Sequence, residues 1–181
     1  MNVARRSISL LLVSLSLCVS LANADSKADL DRSARSVLNQ LIASNANAKK
    51  LNEKAIATLV FPVVTKAGFI VGGHYGDGVL FRNGRPVAYY NTAGGSYGLQ
   101  AGAQQFGYVL FFMKEAALSA LDSTQGFEVG VGPSVVIVDQ GVATSTTTIT
   151  AQDDIYAFIT EQKGAMAGIG IQGNKITKLG K

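Results

Sequence analysis

The chain has 181 residues, 48% hydrophobic and 15% charged, with 20 glycines, one cysteine, one histidine and no tryptophan. That length fits one domain, the apolar fraction excludes a disordered chain, and a lone cysteine excludes an intramolecular disulfide framework. Sixteen basic against twelve acidic residues give a net charge of +4, too weak a field to argue nucleic-acid binding from charge.

Residues 1–24 read as a secretory signal peptide. Arg5 and Arg6 form a basic start, Ser7 to Leu21 an apolar stretch, and Ala22-Asn23-Ala24 a small-residue cleavage site before Asp25. The apolar stretch is shorter than the ~20 residues of a spanning helix. Cys18 follows Leu17, where lipid attachment to a processed cysteine wants a small residue. Cleavage after Ala24 is therefore expected, and it removes Cys18. The expectation is a periplasmic or secreted protein with its functional domain over 25–181.

Ser26 to Ile42 reads as an amphipathic helix, because Leu30, Ala34, Val37, Leu38 and Leu41 recur on one face. A second helix is expected from about Ala48 to Leu59, stopped by Pro62. From Gly68 the pattern turns to strands. Phe69 to Phe81 and Val87 to Tyr90 flank Arg82-Asn83-Gly84-Arg85, a strong hairpin signal, since both turn residues need positive φ. Gly98 to Met113 is a further apolar run and Lys114 to Ser123 a short helix. Phe127 to Val138 and Val142 to Thr150 read as a hairpin about Asp139-Gln140-Gly141. Asp153 to Gln162 reads equally as helix or strand. Ala165 to Gln172 and Lys175 to Leu179 make a last hairpin about Gly173-Asn174. These elements predict an α+β single domain: a curved antiparallel glycine-rich sheet or partly closed barrel, with N-terminal helices and one internal helix.

Side chains alternate faces along a strand. Gly72, His74, Gly76, Gly78 and Leu80 thus share one face, and Gly130 and Gly132 another, opposite Val129 and Val131. Glycine in a strand marks a bend or the close approach of something to the backbone. Two readings follow: tight packing or barrel closure there, or a shallow apolar slot for an acyl chain at Gly72, Gly76, Gly130 and Gly132.

Catalytic chemistry finds little footing. His74 is the only histidine and so the only conventional general base; its neighbours by parity are glycines and aliphatics. Ser96 and Ser134 lie in no nucleophile-elbow motif. Gly73 to Gly78, G-H-Y-G-D-G, sits inside a strand pattern with no helix following to offer free N–H groups to a phosphate. Asp77, Asp153 and Asp154 have no metal-ligand spacing. The expectation is a protein that is not an enzyme and uses neither metal nor cofactor.

Four blocks then stand in order: LVFPVVTKAGFIVGGHYGDGVLF, GGSYGLQAGAQQFGYVLFFM, GFEVGVGPSVVIV and DIYAFITEQKGAMAGIGIQGNKITKL. Together, from about Lys54 to Leu179, they resemble the SYLF domain, also called the actin-binding domain of the yeast Las17-binding proteins. The resemblance implies a lipid-binding module. Eukaryotic relatives bind phosphoinositides and some bind or bundle actin, while secreted bacterial relatives are described as lipid-binding. Matching positions include Phe61, Pro62, Lys66, Gly72, Gly76, Gly98, Gln100, Gly130 and Lys163.

The function expected is binding of anionic phospholipid headgroups at a membrane surface, by Lys66, Arg82, Arg85, Lys163 and Lys175 beside apolar surface. A lysine or arginine near an anionic surface contributes about 1 kcal/mol. The alternative is an envelope protein-interaction or scaffold module without a lipid ligand, using Tyr75, Tyr89, Tyr90 and Tyr97 as amphipathic anchors. No nucleic-acid partner is expected.

Overall fold

The computed structural model describes residues 26–122, 126–129, 131–138, 152–164 and 174–180. Helix α1 runs over 26–44 and α2 over Ala46–Lys54. The strands are β1 (Ala57–Arg82), β2 (Arg85–Phe112), β3 (Phe127–Glu128), β4 (Val135–Val138), β5 (Ile155–Gly164) and β6 (Lys175–Lys178), with α3 (Glu115–Leu121) after β2. Among the described residues they form one six-stranded sheet of order β3-β6-β2-β5-β4, with β1 on the other edge of β2.

The spine is the β1–β2 ribbon, antiparallel from Ala57↔Phe112 to Arg82↔Arg85. The turn between them follows the sequence reading, with Asn83 at φ 52° and Gly84 at φ 71°. These left-handed values match the right-handed twist of the flanking strands. The far edge of β2 is shared. Residues 90–93 pair with β6 and 104–112 with β5.

Two strands this long cannot stay flat. Register shifts at Phe61/Val64 and Gly68/Ile70 let the ribbon fold back over itself. A Cβ at Gly76 would meet the Val63 carbonyl at 2.6 Å and Val64 Cγ2 at 2.8 Å, and one at Gly78 the Phe61 ring at 2.6 Å. Residues 61–64 therefore lie against residues 76–78, and the missing side chains make that approach feasible. The result is a curled, partly closed sheet.

Each face of the sheet has its own core. On the inner face Leu59, Phe61, Val64, Leu80, Tyr108 and Leu110 pack with Ala117 and Leu121 of α3. On the outer face Val60, Val79, Phe81, Val109, Phe111 and Phe158 pack under Ala34, Val37 and Leu41 of α1 and Ala48 and Leu51 of α2. The α1 stripe read from the sequence is the face that is buried.

Several expectations are corrected. The second helix ends at Lys54, and Leu59 lies in β1. The run Leu59-Val60-Phe61 is fully buried with alternate side chains in the two cores, a pattern a strand satisfies and a one-sided helix does not. Burying each such side chain contributes about 1.5–3 kcal/mol. Pro62 does not break the strand, because it sits at the Phe61/Val64 register shift of an edge strand, where no ladder donor is missed.

The run from Phe127 to Val138 is two strands, interrupted at Gly132 with φ 93°. Parity fails there, since Val129 is buried and Val131 exposed. The sheet is not wholly antiparallel, as β4 pairs parallel with β5. A parallel pair needs a crossover of a dozen residues or more, and Val138 is far enough from Ile155 to supply one. Asp153 to Gln162 resolves as strand β5. The expected Asp139-Gln140-Gly141 turn, the Val142 to Thr150 strand and the Ala165 to Gln172 strand lie outside the described residues.

Candidate functional site

Three places gather polar chemistry. The first is the β1–β2 turn. Arg82 and Arg85 face each other at its base, and both are exposed. Arg35 reaches across from α1, donating from Nη1 to the Gly84 carbonyl at 2.9 Å, with its guanidinium 4.9 Å above the Phe81 ring. Arg82 pairs with Glu115 of α3. Val87, 55% exposed, lies just beyond. Arg82 is thus paired with a carboxylate of α3, Arg35 lies over the Phe81 ring, and Arg85 stands at the turn beside an exposed apolar side chain.

The second is a cleft of about 400 Å³ between the end of α3 and strands β3 and β6. Phe127, Val131 and Pro133 give it apolar walls, and Lys175 and Glu128 stand at it with opposite charge. Lys175 and Glu128 are ladder partners, so the lysine does not act there alone.

The third is a polar pole inside the curl. His74 and Gly94 are ladder partners, and the imidazole occupies the space a side chain at 94 would take. Asn174, buried just before β6, sits between His74 and the Tyr108 hydroxyl. Tyr108 donates to Thr92 Oγ1 at 2.6 Å. Lys66 lies opposite Gln104 in the ladder, and its charge reaches His74.

Burial, the nearby Lys66 ammonium and, against them, the Asn174 side chain leave His74 titrating below its ordinary value. Burial likewise pushes the Tyr108 hydroxyl well above its ordinary value, with Thr92 and Asn174 opposing. Gln104 is 1% exposed and Asn174 2%. Both amide atoms of Gln104 and Nε2 of His74 have no hydrogen-bond partner. Each such buried polar atom costs about 1–3 kcal/mol when left unmatched.

The basic residues named from the sequence do not form one surface. Because residues 61–64 lie against 76–78, Lys66 is level with His74. Arg82 is eight residues further along the strand, roughly 26 Å at ~3.3 Å per residue. Lys66 is half-buried at the pole, Arg82 and Arg85 are at the turn, and Lys175 is at the cleft. Lys163 pairs with Gln105, the β2 position next to the partner of Lys66.

The glycines also divide. At Gly76 the space of an acyl slot is filled by Val63 and Val64. Gly72 is half-buried opposite Ser96. Gly132 lines the cleft, and Gly130 lies outside the described residues.

Sequence reading missed Arg35, Gln104 and Asn174. Gln104 carried a signal in retrospect: it is polar at a position where the inward parity of Phe106, Tyr108 and Leu110 demands an apolar side chain. Arg35 and Asn174 carried none, because their partners are distant in the chain. Among the described residues no helix is long and apolar enough to cross a membrane, and no three His, Cys, Asp or Glu side chains stand together as metal ligands.

Residues 93–180 match the family described as Ysc84, Las17-binding protein actin regulator. No curated protein matches the chain. The matched stretch is narrower than the resemblance read from Lys54 onward. It opens at Ala93 in the middle of β2 and takes in α3 and β3 to β6. Ala93 is itself the ladder partner of Tyr75, so β1 completes the sheet that the matched stretch builds. Residues 93–180, just under half of the chain, are thus similar to the Ysc84, or SYLF-domain, family of Las17-binding protein actin regulators.

Proposed function

We propose that this chain is an exported, non-enzymatic protein that binds anionic phospholipid headgroups at a membrane surface. The observation that carries the reading is the β1–β2 turn. Arg35, Arg82 and Arg85 stand around it, Arg82 paired with Glu115, and Val87 is exposed nearby. Three arginines at about 1 kcal/mol each amount to roughly a hundredfold in membrane affinity. Arg35 ties the turn to α1 through the Gly84 carbonyl, which reduces the ordering entropy that opposes adsorption. A non-enzymatic role is supported by His74, the only histidine, whose partners among the described residues are Gly94, Asn174 and Lys66.

Flotation with vesicles tests this. The protein should float with phosphatidylglycerol–phosphatidylcholine vesicles and stay in the dense fraction with phosphatidylcholine alone. Replacing Arg82 and Arg85 together by Ala should weaken binding by about tenfold or more. Equal flotation with both vesicle types would reject headgroup charge as the basis. Export is checked separately by intact mass: the mature chain should begin at Asp25, and a lipid-modified Cys18 would defeat that.

A second reading has its own observation. Tyr75 is 58% exposed and lies in one ladder row with Ala93, Lys175 and Glu128. Such an aromatic and charged row suits a protein partner, and the family description names protein binding. Capture of a defined partner that survives Arg82→Ala/Arg85→Ala but not Tyr75→Ala, with no vesicle flotation, would favour it.

A further inference from the structure

We propose that the polar pole of Lys66, His74, Gln104 and Asn174 is a binding site for a hydroxyl-bearing phosphate ester, the chemistry of a glycerophosphate headgroup. The inference rests on the phospholipid reading and gives it a specific receptor, apart from the arginines of the turn.

Four facts converge there. The groups belong together: Lys66 is the ladder partner of Gln104, its charge acts on His74, and His74 faces Asn174. Gln104 is unspent, since neither its Nε2 nor its Oε1 has a hydrogen-bond partner, and His74 Nε2 has none. Buried polar side chains are almost always paired, so three unmatched atoms call for a polar occupant.

The burial is graded. Gln104 and Asn174 are enclosed, while Lys66 and His74 are partly exposed, so the cluster runs from buried amides to a cation at the surface. The charge has one sign. Lys66 has no ion pair among the described residues. The acids on neighbouring elements are turned elsewhere: Asp77 accepts from Asn91, and Glu128 stands at the separate cleft.

The donor set selects the chemistry. An ammonium from β1 and two amide N–H₂ groups, one from β2 and one from the residue before β6, suit the several oxygens of a phosphate better than a single lone pair. His74 Nε2 adds a donor when it carries a proton. Gln104 Oε1 is an acceptor with no donor, and a hydroxyl on the ester would supply one. An inorganic anion leaves that atom poorly served.

His74 is the only histidine of the chain, so its imidazole signal in a proton–carbon NMR spectrum is an unambiguous probe. Titrating the protein with sn-glycerol 3-phosphate should move that signal saturably. It should also raise the pH at which the ring titrates, because an anion offsets the Lys66 charge. Inorganic phosphate should bind at least tenfold more weakly, and glycerol should not move the signal.

Gln104→Leu replaces the unmatched amide by an apolar group of similar size. It should keep or raise thermal stability while weakening the response at least tenfold, and Lys66→Ala should do the same to the response. An immobile His74 signal at millimolar glycerol phosphate, or an unchanged response in Gln104→Leu, overturns the site. Equal affinity for inorganic phosphate overturns the hydroxyl-bearing ester.

The same titration with phosphatidylglycerol vesicles separates a lipid headgroup from a free ester. If glycerol phosphate binds and vesicles do not, the phospholipid reading fails and the site stands. If vesicles bind through the turn arginines and His74 never responds, the site fails and the reading stands.

Discussion

At position 78 a single methyl group has nowhere to go. Its carbon would lie 2.6 Å from the Phe61 ring and 2.8 Å from the Val60 carbonyl, and the carbonyl belongs to a strand that cannot yield. Gly78→Ala should therefore cost about 1–3 kcal/mol in urea unfolding, the usual range for overpacking. Gly95→Ala is its control: nothing lies within 4 Å of the added carbon, and the change should stay within about 0.5 kcal/mol.

His74 sets a second test at this scale. Its folded pKa lies below the ordinary value of 6.5, so at intermediate pH the unfolded chain holds more protons than the folded one. The stability His74 supports is complete above that ordinary value. It is lost as pH falls through it, and levels off below the folded pKa. Denaturant midpoints between about pH 7 and 5 should fall in the parent protein and flatten in His74→Gln. Asp122 acts lower on the scale. Burial would raise its pKa, but the Tyr90 hydroxyl and Lys178 outweigh that and hold it below the usual carboxylate range, so its contribution disappears only in acid.

Among the elements, α2 shows how a short helix is fixed by its ends. Nine residues are too few to be stable alone. Asn45 caps the start, accepting from Asn47 N at 2.9 Å and Ala48 N at 3.0 Å. Ala48 and Leu51 bury the inner face against the sheet. Asn45→Ala should cost about 1 kcal/mol, and Asn45→Asp should restore most of it; thermal unfolding of the two variants decides. At the other end Ala55 turns extended, and the chain enters β1 at once.

Over the whole molecule, the two-faced sheet separates stability from binding. The outer core is sealed by α1 and α2 and the inner core by the curl and α3, so the turn arginines stand outside both. Vesicle adsorption through them should weaken steeply between 0.05 and 0.5 M salt, on the order of the screening expected for exposed charges, while the unfolding midpoint barely moves. A salt-indifferent adsorption would transfer the role to the apolar walls of the cleft at Phe127 and Val131.

The features legible from the chain alone were local. Helix α1, the Asn83-Gly84 turn, α3 and the α+β class were legible because period, turn chemistry and glycine spacing are short-range signals. The reach of β1 and β2 was not. Ala57–Leu59 reads in isolation as the end of the second helix, and only burial of alternate side chains in two different cores made it strand.

The candidate site divides in the same way. Arg82 and Arg85 were legible as exposed because a turn exposes its flanks, and the aromatic and glycine blocks carried the family resemblance. The gathering of Lys66, His74, Gln104 and Asn174, with its separation from those arginines, was decided by the tertiary structure. It depends on a ribbon folding back over its own glycines, and on β6 returning from the end of the chain to lie along β2. Contacts between residues so far apart in sequence leave no period or spacing from which they can be read.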